Sequence, residues 1–270
     1  MPNVSVIITA LNAANSLPSC LEALKEFDDV IVIDSNSKDG SKDICKKYNV
    51  SYVPYEWNGQ YPKKRQWVLN NVQTKYDYIF FVDADEIVTP DLVAQISTSD
   101  LSAAGYFVKG QYEMSGTILR HGLQNNKLSL FHRDKFEFPI IDDLVAKTMG
   151  EIEGHYQPVL KTDFIDARIE QMSAPLIHRA YDENWEERHD RYAQWEAYMI
   201  LGDRYPQENK KFREILKRIF RKMPMRGLIA FIHSYVLKFG FLDGKAGYNF
   251  AYSRLHYYNK VSVILKANRV

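Results

Sequence analysis

The first hundred residues carry the rhythm that most limits how this chain can fold. Short apolar, β-branched runs lie at Val4–Thr9, Val30–Ile33, Ser51–Tyr55 and Tyr78–Val82. Between them come stretches of helical spacing at Leu17–Phe27, Ser41–Tyr48 and Lys63–Val72. Strands alternating with helices of this length predict βαβ units and a mainly parallel sheet covered on both faces. In such sheets a ligand sits beyond the carboxyl ends of the strands. Three of those ends are polar: Thr9-Ala10-Leu11-Asn12, the run DSNSKDGS from Asp34 to Ser41, and Asp83-Ala84-Asp85-Glu86.

From Gly105 to Lys147 the pattern is strand-like again, in GYFVKGQYEM, KLSLFHR and PIIDDLVAK. Beyond Ala180 it predicts helices, with aromatic and charged residues over Tyr181–Ile200 and apolar residues three and four apart over Phe212–Phe220. The expected plan is an α/β part over 1–180, itself divided into 1–100 and 101–180, and a helical part over 181–270. A chain 46% hydrophobic and 26% charged has no disordered or collagenous bias. Two cysteines, Cys20 and Cys45, are too few for a disulfide framework or a four-ligand zinc site. The N-terminal run lacks a basic leader, and no stretch reaches the roughly 18–20 apolar residues of a bilayer span. The nearest, Gly227–Phe241, is broken by His233 and Lys238. A cytoplasmic protein is expected.

The run YIFFVDADEIV drives an apolar strand into three carboxylates, Asp83, Asp85 and Glu86. Anions this close repel one another, and charge at the edge of a core needs compensation. Asp83 and Asp85 can both turn toward a hard cation such as Mg²⁺ or Mn²⁺ that keeps positions open for phosphate oxygens. The plainer alternative is an acidic turn before a helix, with Thr89 as cap and Pro90 in the first turn. In DSNSKDGS, Asp34 at a strand end can accept hydrogen bonds from a ribose hydroxyl or a base N–H, while Asp39-Gly40 turns the chain and Ser41 caps a helix. The same residues also make a sound loop with no ligand. Neither GxGxxG after the first strand nor GxxxxGK[ST] anywhere is present, so dinucleotide and P-loop chemistry lack their signature. Lys63, Lys64 and Arg65 in GQYPKKRQ are candidate phosphate contacts, or simply a solvated basic helix start.

VSVIITALN, VIVIDSNSKDGS and FFVDADEIV, in this order and spacing, resemble glycosyltransferase family 2, whose members have a GT-A fold and use nucleotide-diphosphate sugars. GFLDGKAGYNFAYSRLHYY (Gly240–Tyr258), with LSLFHRDKFEF and LIHRAY, is similar to the lipopolysaccharide-core β-glucosyltransferase branch. The resemblance spans most of the chain and is strongest over 3–90 and 240–258. It implies that Thr9, Ala10, Asn12 and Asp34 line the nucleoside pocket, with Asp39 assisting. Asp83, with Ala84, would lie near ribose and diphosphate, Asp85 would hold the metal, and Lys64 or Arg65 would meet the diphosphate. The first hundred residues would then bind the donor and 101–180 the acceptor.

The family inverts the anomeric centre in one displacement and needs a base for the acceptor hydroxyl. The Asp142-Asp143 pair of IIDDLV stands where that base is expected, although the branch more often reads His-Glu there. Asp143 is the first choice and Asp142 the reserve. His178 in LIHRAY matches a branch histidine and is a candidate third metal ligand or diphosphate contact, against the alternative of a packed structural residue. His121 and His155 are weaker candidates.

Eight Lys or Arg against one Glu fill Lys210–Arg226, with apolar residues at helical spacing and the apolar Gly227–Phe241 segment next. This reads either as a peripheral contact with a membrane surface or as a packed helix with a solvated basic face. No recognisable nucleic-acid-binding fold accompanies it. The expected protein is therefore an inverting, metal-dependent hexosyltransferase, peripheral at the cytoplasmic face of an inner membrane. It would move a hexose from a UDP-sugar to a lipopolysaccharide, lipooligosaccharide or related glycan acceptor. The rivals are a haloacid-dehalogenase-like phosphatase using Asp83 and Asp85, and a non-catalytic membrane-surface binding protein. A nucleotide-sugar pyrophosphorylase lacks its Gly-rich turn.

Overall fold

The computed structural model describes residues 2–146, 148–153, 156–179, 185–205 and 211–268, and for 211–213 the backbone alone. It divides into two compact units. Unit 1 comprises 1–112, 124–138 and 157–180, and unit 2 comprises 113–123, 139–156 and 181–270.

Unit 1 opens with the expected alternation: β1 (Ser5–Ala10), α1 (Leu17–Glu22), β2 (Val30–Asp34), α2 (Ser41–Lys47), β3 (Ser51–Pro54), α3 (Lys64–Asn71) and β4 (Tyr78–Asp83). β1, β2 and β4 are buried on both faces, which is why they read as unbroken β-branched runs. They pair in parallel, with Thr9 level with Asp83 and Ala10 level with Asp34, so the three polar ends lie along one edge. After β4 come β5 (Glu86–Val88) and α4 (Pro90–Thr98), which Thr89 caps by accepting from the Leu92 N–H at 3.2 Å. Then follow β6 (Gly105–Met114), β7 (Thr117–Ile118, within unit 2), β8 (Asn125–His132), β9 (Phe136–Glu137), β10 (Val159–Leu160), β11 (Ile169–Gln171) and β12 (Leu176–His178). β9 and β10 form a separate antiparallel pair.

The main sheet runs β3-β2-β1-β4-β8-β6-β12-β5, with β11 joined to β6. β5 thus lies four strand positions from β4, about 19 Å in a flat sheet at about 4.8 Å per step. Yet only Ala84 and Asp85 separate Asp83 from Glu86, and three residue steps reach about 10 Å at most. The sheet must curl, and the closing point is the acidic turn itself. Val6, Ile8, Val32, Phe80 and Val82 from the sheet and Leu17, Leu21, Leu92 and Ile96 from helices fill one core beneath it.

PIIDDLVAK does not form the expected strand. Leu144–Ala146 is a 3-10 turn, and Ile140 and Val145 are exposed. Pro139 has no N–H to give a ladder, and the run closes on itself instead, the Asp143 N–H bonding the Ile141 carbonyl at 3.0 Å and the Ala146 N–H the Asp143 carbonyl at 3.2 Å.

The helical expectation beyond 180 is met in unit 2 by α5 (Trp185–Leu201), α6 (Lys211–Lys222), α7 (Arg226–Ile232) and α8 (Gly244–Ala267), with a π turn over His233–Leu237 and a 3-10 turn over Gly240–Asp243. Ala193 and Ala197 of α5 pack with Val261 and Leu265 of α8. Two glycines of GFLDGKAGYNF are there for backbone approach. A Cβ on Gly247 would lie 1.9 Å from the carbonyl oxygen of Gly240. Asp243 accepts from the backbone N–H groups of Arg120 and His121 at 3.1 and 2.8 Å. No described helix is long and apolar enough to cross a membrane.

Candidate active site

The ends of β1 and β2 form one wall of the site. Asn12 has a left-handed φ of 49°, which an Asn tolerates, and this turns its amide toward the β2–α2 loop. Its N–H donates to Ser37 Oγ at 2.7 Å, and its Oδ1 accepts the Lys38 N–H at 3.0 Å. Asp39 accepts from the Ala14 N–H at 2.8 Å and from Ser41 Oγ at 2.6 Å, while the Ala13 N–H donates to Ser41 Oγ. Asp34 is fully buried and accepts from the Ser37 N–H at 2.8 Å, the Ser37 hydroxyl and the Tyr52 hydroxyl at 2.9 Å. Burial, with the carboxylate beside it, pushes the Tyr52 phenol up to about 12. Every donor here is neutral, so the two loops are stitched into a fixed wall. Ala10 is buried in it.

At the β4 end the partners are charged. Lys127 on β8 donates to Asp83 Oδ2 at 2.5 Å and to Glu86 Oε1 at 2.7 Å. Arg65 donates to Asp83 Oδ1 at 2.8 Å, and the Thr9 hydroxyl donates to the same oxygen at 3.2 Å. Glu86, almost fully buried, accepts the Asp83 N–H at 2.9 Å through its other oxygen and so closes the turn. Burial raises the Asp83 and Glu86 carboxyls, but Lys127, aided by Arg65 at Asp83, outweighs it and holds both below the usual carboxylate range. Burial likewise disfavours the charged ammonium of Lys127, and Asp83 and Glu86 more than restore it.

Asp85 behaves oppositely. Burial lifts its carboxyl above the usual range, Asp83 and Glu86 add to the rise, and His178 only partly offsets it. His178 ends β12, where it is paired with Glu86 on one side and Tyr112 on the other. Its ring stands edge-on to Tyr112 at 5.4 Å. Nδ1 is buried, 3.7 Å from Asp85 Oδ1 and 3.3 Å from Glu86 Oε1, yet makes no well-aligned hydrogen bond. Burial lowers the imidazole's pKa, but Glu86 and Asp85 more than restore it, so His178 adds positive charge to the cluster. In its neutral form this nitrogen, with the Asp85 carboxylate, makes a donor pair that suits a divalent cation. The described residues hold no ready-made cluster of three or more such ligands, so the rest of a coordination shell would come from water or ligand oxygens.

The predicted residues therefore separate. Thr9, Ala10, Asn12, Asp34, Asp39, Arg65, Asp83, Ala84, Asp85 and His178 all lie in unit 1. Lys64 is nearly buried there, its ammonium 5.7 Å from the Tyr55 ring centroid, and Lys63 is buried near Tyr61. Asp142 and Asp143 lie in unit 2. Asp143 is buried and accepts from the Trp195 indole N–H at 3.0 Å, whereas exposed Asp142 pairs with Arg204 at 2.8 Å. His121 sits in unit 2 with Nδ1 3.1 Å from Asp243, and His155 falls outside the described residues. The sequence analysis missed Lys127. No local pattern singles it out, but the antiparallel register of β4 with β8, Tyr78 to His132 and Phe80 to Leu130, leads Lys127 opposite Asp83 when continued three residues.

A curled, mainly parallel sheet that gathers carboxylates, hydroxyls and cations at the carboxyl ends of its first strands is the GT-A arrangement. Residues 5–150, more than half of the chain, match the model of Glycosyl transferase family 2, and the chain belongs to that family. Among solved structures it is similar to S. aureus TarS, with 17% identity and a TM-score of 0.46 over 84% of this chain and 45% of TarS. It thus spans under half of that chain. TarS 1–349 matches at 13% identity and a TM-score of 0.44, over 93% of this chain and 90% of the fragment. Glucosyl-3-phosphoglycerate synthase from Mycobacterium tuberculosis, in complex with Mn²⁺, UDP-glucose and phosphoglyceric acid, matches at 17% identity and a TM-score of 0.43, over 74% and 79% of the two chains. These likenesses are distant, and the family assignment stands on the sequence match. It displaces the phosphatase alternative. In that class the Asp-x-Asp strand comes near the N-terminus, whereas here three strands precede it.

Proposed function

We propose that this glycosyltransferase transfers a hexose, with inversion, from a UDP-sugar to a lipopolysaccharide, lipooligosaccharide or related surface-glycan acceptor. The observation that carries the donor half is the β4 edge, where Asp83 stands level with Thr9 and Asp85, two residues on, lies 3.7 Å from the buried Nδ1 of His178. The acceptor class is supported by the branch-like sequence of Gly240–Tyr258.

In this reading Asp34, Asn12 and Asp39 shape the nucleoside pocket, with Thr9 and Ala10 on its floor. Asp83, next to Ala84, faces ribose and diphosphate, and Lys64 and Arg65 counter the phosphate charge. Asp85 and His178, with Asp83 nearby, would hold a Mg²⁺ or Mn²⁺ ion, which would supply positive charge against the departing diphosphate. Asp143, oriented by the Trp195 indole, takes the proton of the acceptor hydroxyl. The hydroxyl oxygen forms its bond to the anomeric carbon as the bond from that carbon to the diphosphate oxygen breaks.

Asp85→Ala is expected to lower transfer by about 10³-fold or more while leaving thermal stability unchanged or slightly raised, since it removes a repelled carboxylate. Asp143→Asn is expected to lower turnover about 10²–10⁴-fold with donor binding intact. Near-normal turnover in that variant would eliminate Asp143 as the base and pass the test to Asp142→Asn. Thermal shift and hydrolysis with Mn²⁺ across a panel of nucleotide sugars identify the donor. If no nucleotide sugar shifts the protein, the proposal fails.

A further inference from the structure

In unit 2, α6 is built inside out. Ile215, Leu216 and Ile219 fall on one stripe of this helix and are 55, 50 and 51% exposed, with Met223 continuing the line. The opposite face packs inward with Lys217, Phe220 and Arg221, while Arg218 and Lys222 stay exposed beside the stripe. Arg221 lies 3.5 Å over the Tyr205 ring, Phe220 meets Tyr258 edge-on at 5.0 Å, and Lys217 is half-buried. A helix packed for water alone does the reverse. The shallow depression over the aliphatic stripe is lined by Glu214, Ile215, Arg218, Ile219 and Lys222, residues of α6 alone.

A second apolar surface follows in the same unit. Phe239, Phe241, Tyr235, Tyr248 and Tyr252 are linked ring to ring at centroid distances of 6.2, 6.3, 5.8 and 5.9 Å. Phe239 and Phe241 are 57 and 45% exposed, and Leu237 and Leu242 beside them are exposed too. Contiguous exposed aromatic surface of this kind marks an interaction site, and aromatic rings with polar tips suit the boundary between headgroup and acyl chain. Lys238 and Lys245 rim it, both exposed.

We propose that unit 2 docks on the surface of an anionic lipid bilayer through these two apolar surfaces. The charge distribution chooses the occupant. Residues 210–245 hold ten Lys or Arg against two acidic residues, Glu214 and Asp243, in a chain whose net charge is only +1. Asp243 is already engaged by the backbone of Arg120 and His121. A second copy meeting this face with its own would set cation against cation. An anionic leaflet satisfies both needs, taking the isoleucines and phenylalanines below the headgroups and the lysines among them. The inference is independent of the donor and acceptor proposed above.

The test is co-sedimentation of the full chain with vesicles of phosphatidylcholine alone and with one-third phosphatidylglycerol. Binding is expected to be at least about tenfold stronger on the anionic vesicles and to weaken as salt rises. Ile215→Ser with Ile219→Ser and Phe239→Ser with Phe241→Ser should cut it by at least about tenfold. Because exposed apolar residues are being replaced, circular dichroism should be unchanged. Lys222→Gln, Lys238→Gln and Lys245→Gln, a set that leaves the apolar surfaces intact, should each cost about fivefold on anionic vesicles and nothing on neutral ones. Absence of binding to anionic vesicles, or binding indifferent to both sets, overturns the proposal. So does a stable dimer in solution that the serine variants dissolve.

Discussion

The two walls of the candidate site solve the same problem in different ways. Along β1 and β2, Asp34 and Asp39 are held by hydroxyls and backbone N–H groups. At the end of β4, Asp83 and Glu86 are held by an ammonium and a guanidinium. Neutral donors fix a carboxylate without changing the local charge, so the first wall is a preformed shape. Cations fix it by balancing charge, so the second wall responds to whatever further charge arrives. A diphosphate with its ion is such a charge, and Asp85, the one carboxylate of the turn held above its usual pKa, is the group most eager for a cation.

Removing a partner should therefore cost most at the charged wall. Lys127→Met removes the ammonium that Asp83 and Glu86 share, leaving Arg65 on Asp83 alone, and is expected to destabilise the protein by about 3–5 kcal/mol at neutral pH, read by chemical denaturation. If the loss is under about 1 kcal/mol, the two walls do not differ as described.

The acid limb of stability should reveal the same contrast more gently. Asp83 and Glu86 titrate below their unfolded values, so their contribution is present above about pH 4 and is lost as pH falls through and below that range. Metal-free protein should hold its midpoint from neutrality to about pH 5 and lose it below pH 4. In Lys127→Met this limb should be shallower, since the largest charge holding both carboxyls down is gone while Arg65 still pairs with Asp83. Urea midpoints across pH, with chelator present, decide this.

Tyr52→Phe is the small perturbation. Asp34 loses one of its neutral donors but keeps both from Ser37. The expected cost is about 1.5–2 kcal/mol by urea denaturation at neutral pH, and a loss as large as that of Lys127→Met would erase the contrast between the walls.

The fold was legible because it is written in local periodicity. Runs such as VIVID and YIFFVD are apolar throughout because both of their faces are covered, and Thr89-Pro90 announces its helix by its own chemistry. The one misread run, PIIDDLVAK, has the apolar residues of a strand but closes into a turn, and whether a run pairs with another strand is not a local property.

By itself, then, the sequence determined the βαβ half, the polar edge at its strand ends, the acidic turn and the helical remainder. Only the tertiary structure decided what balances that turn. Lys127 reaches Asp83 across a sequence separation of 44 because β8 runs antiparallel beside β4, and His178 reaches Glu86 because β12 pairs with β5. It likewise decided that α6 packs Arg221 on the Tyr205 ring and turns its isoleucines out. A side chain's type and spacing are fixed along the chain. Which charge it meets, and which face it shows to solvent, depends on strand register and helix packing set by residues far away.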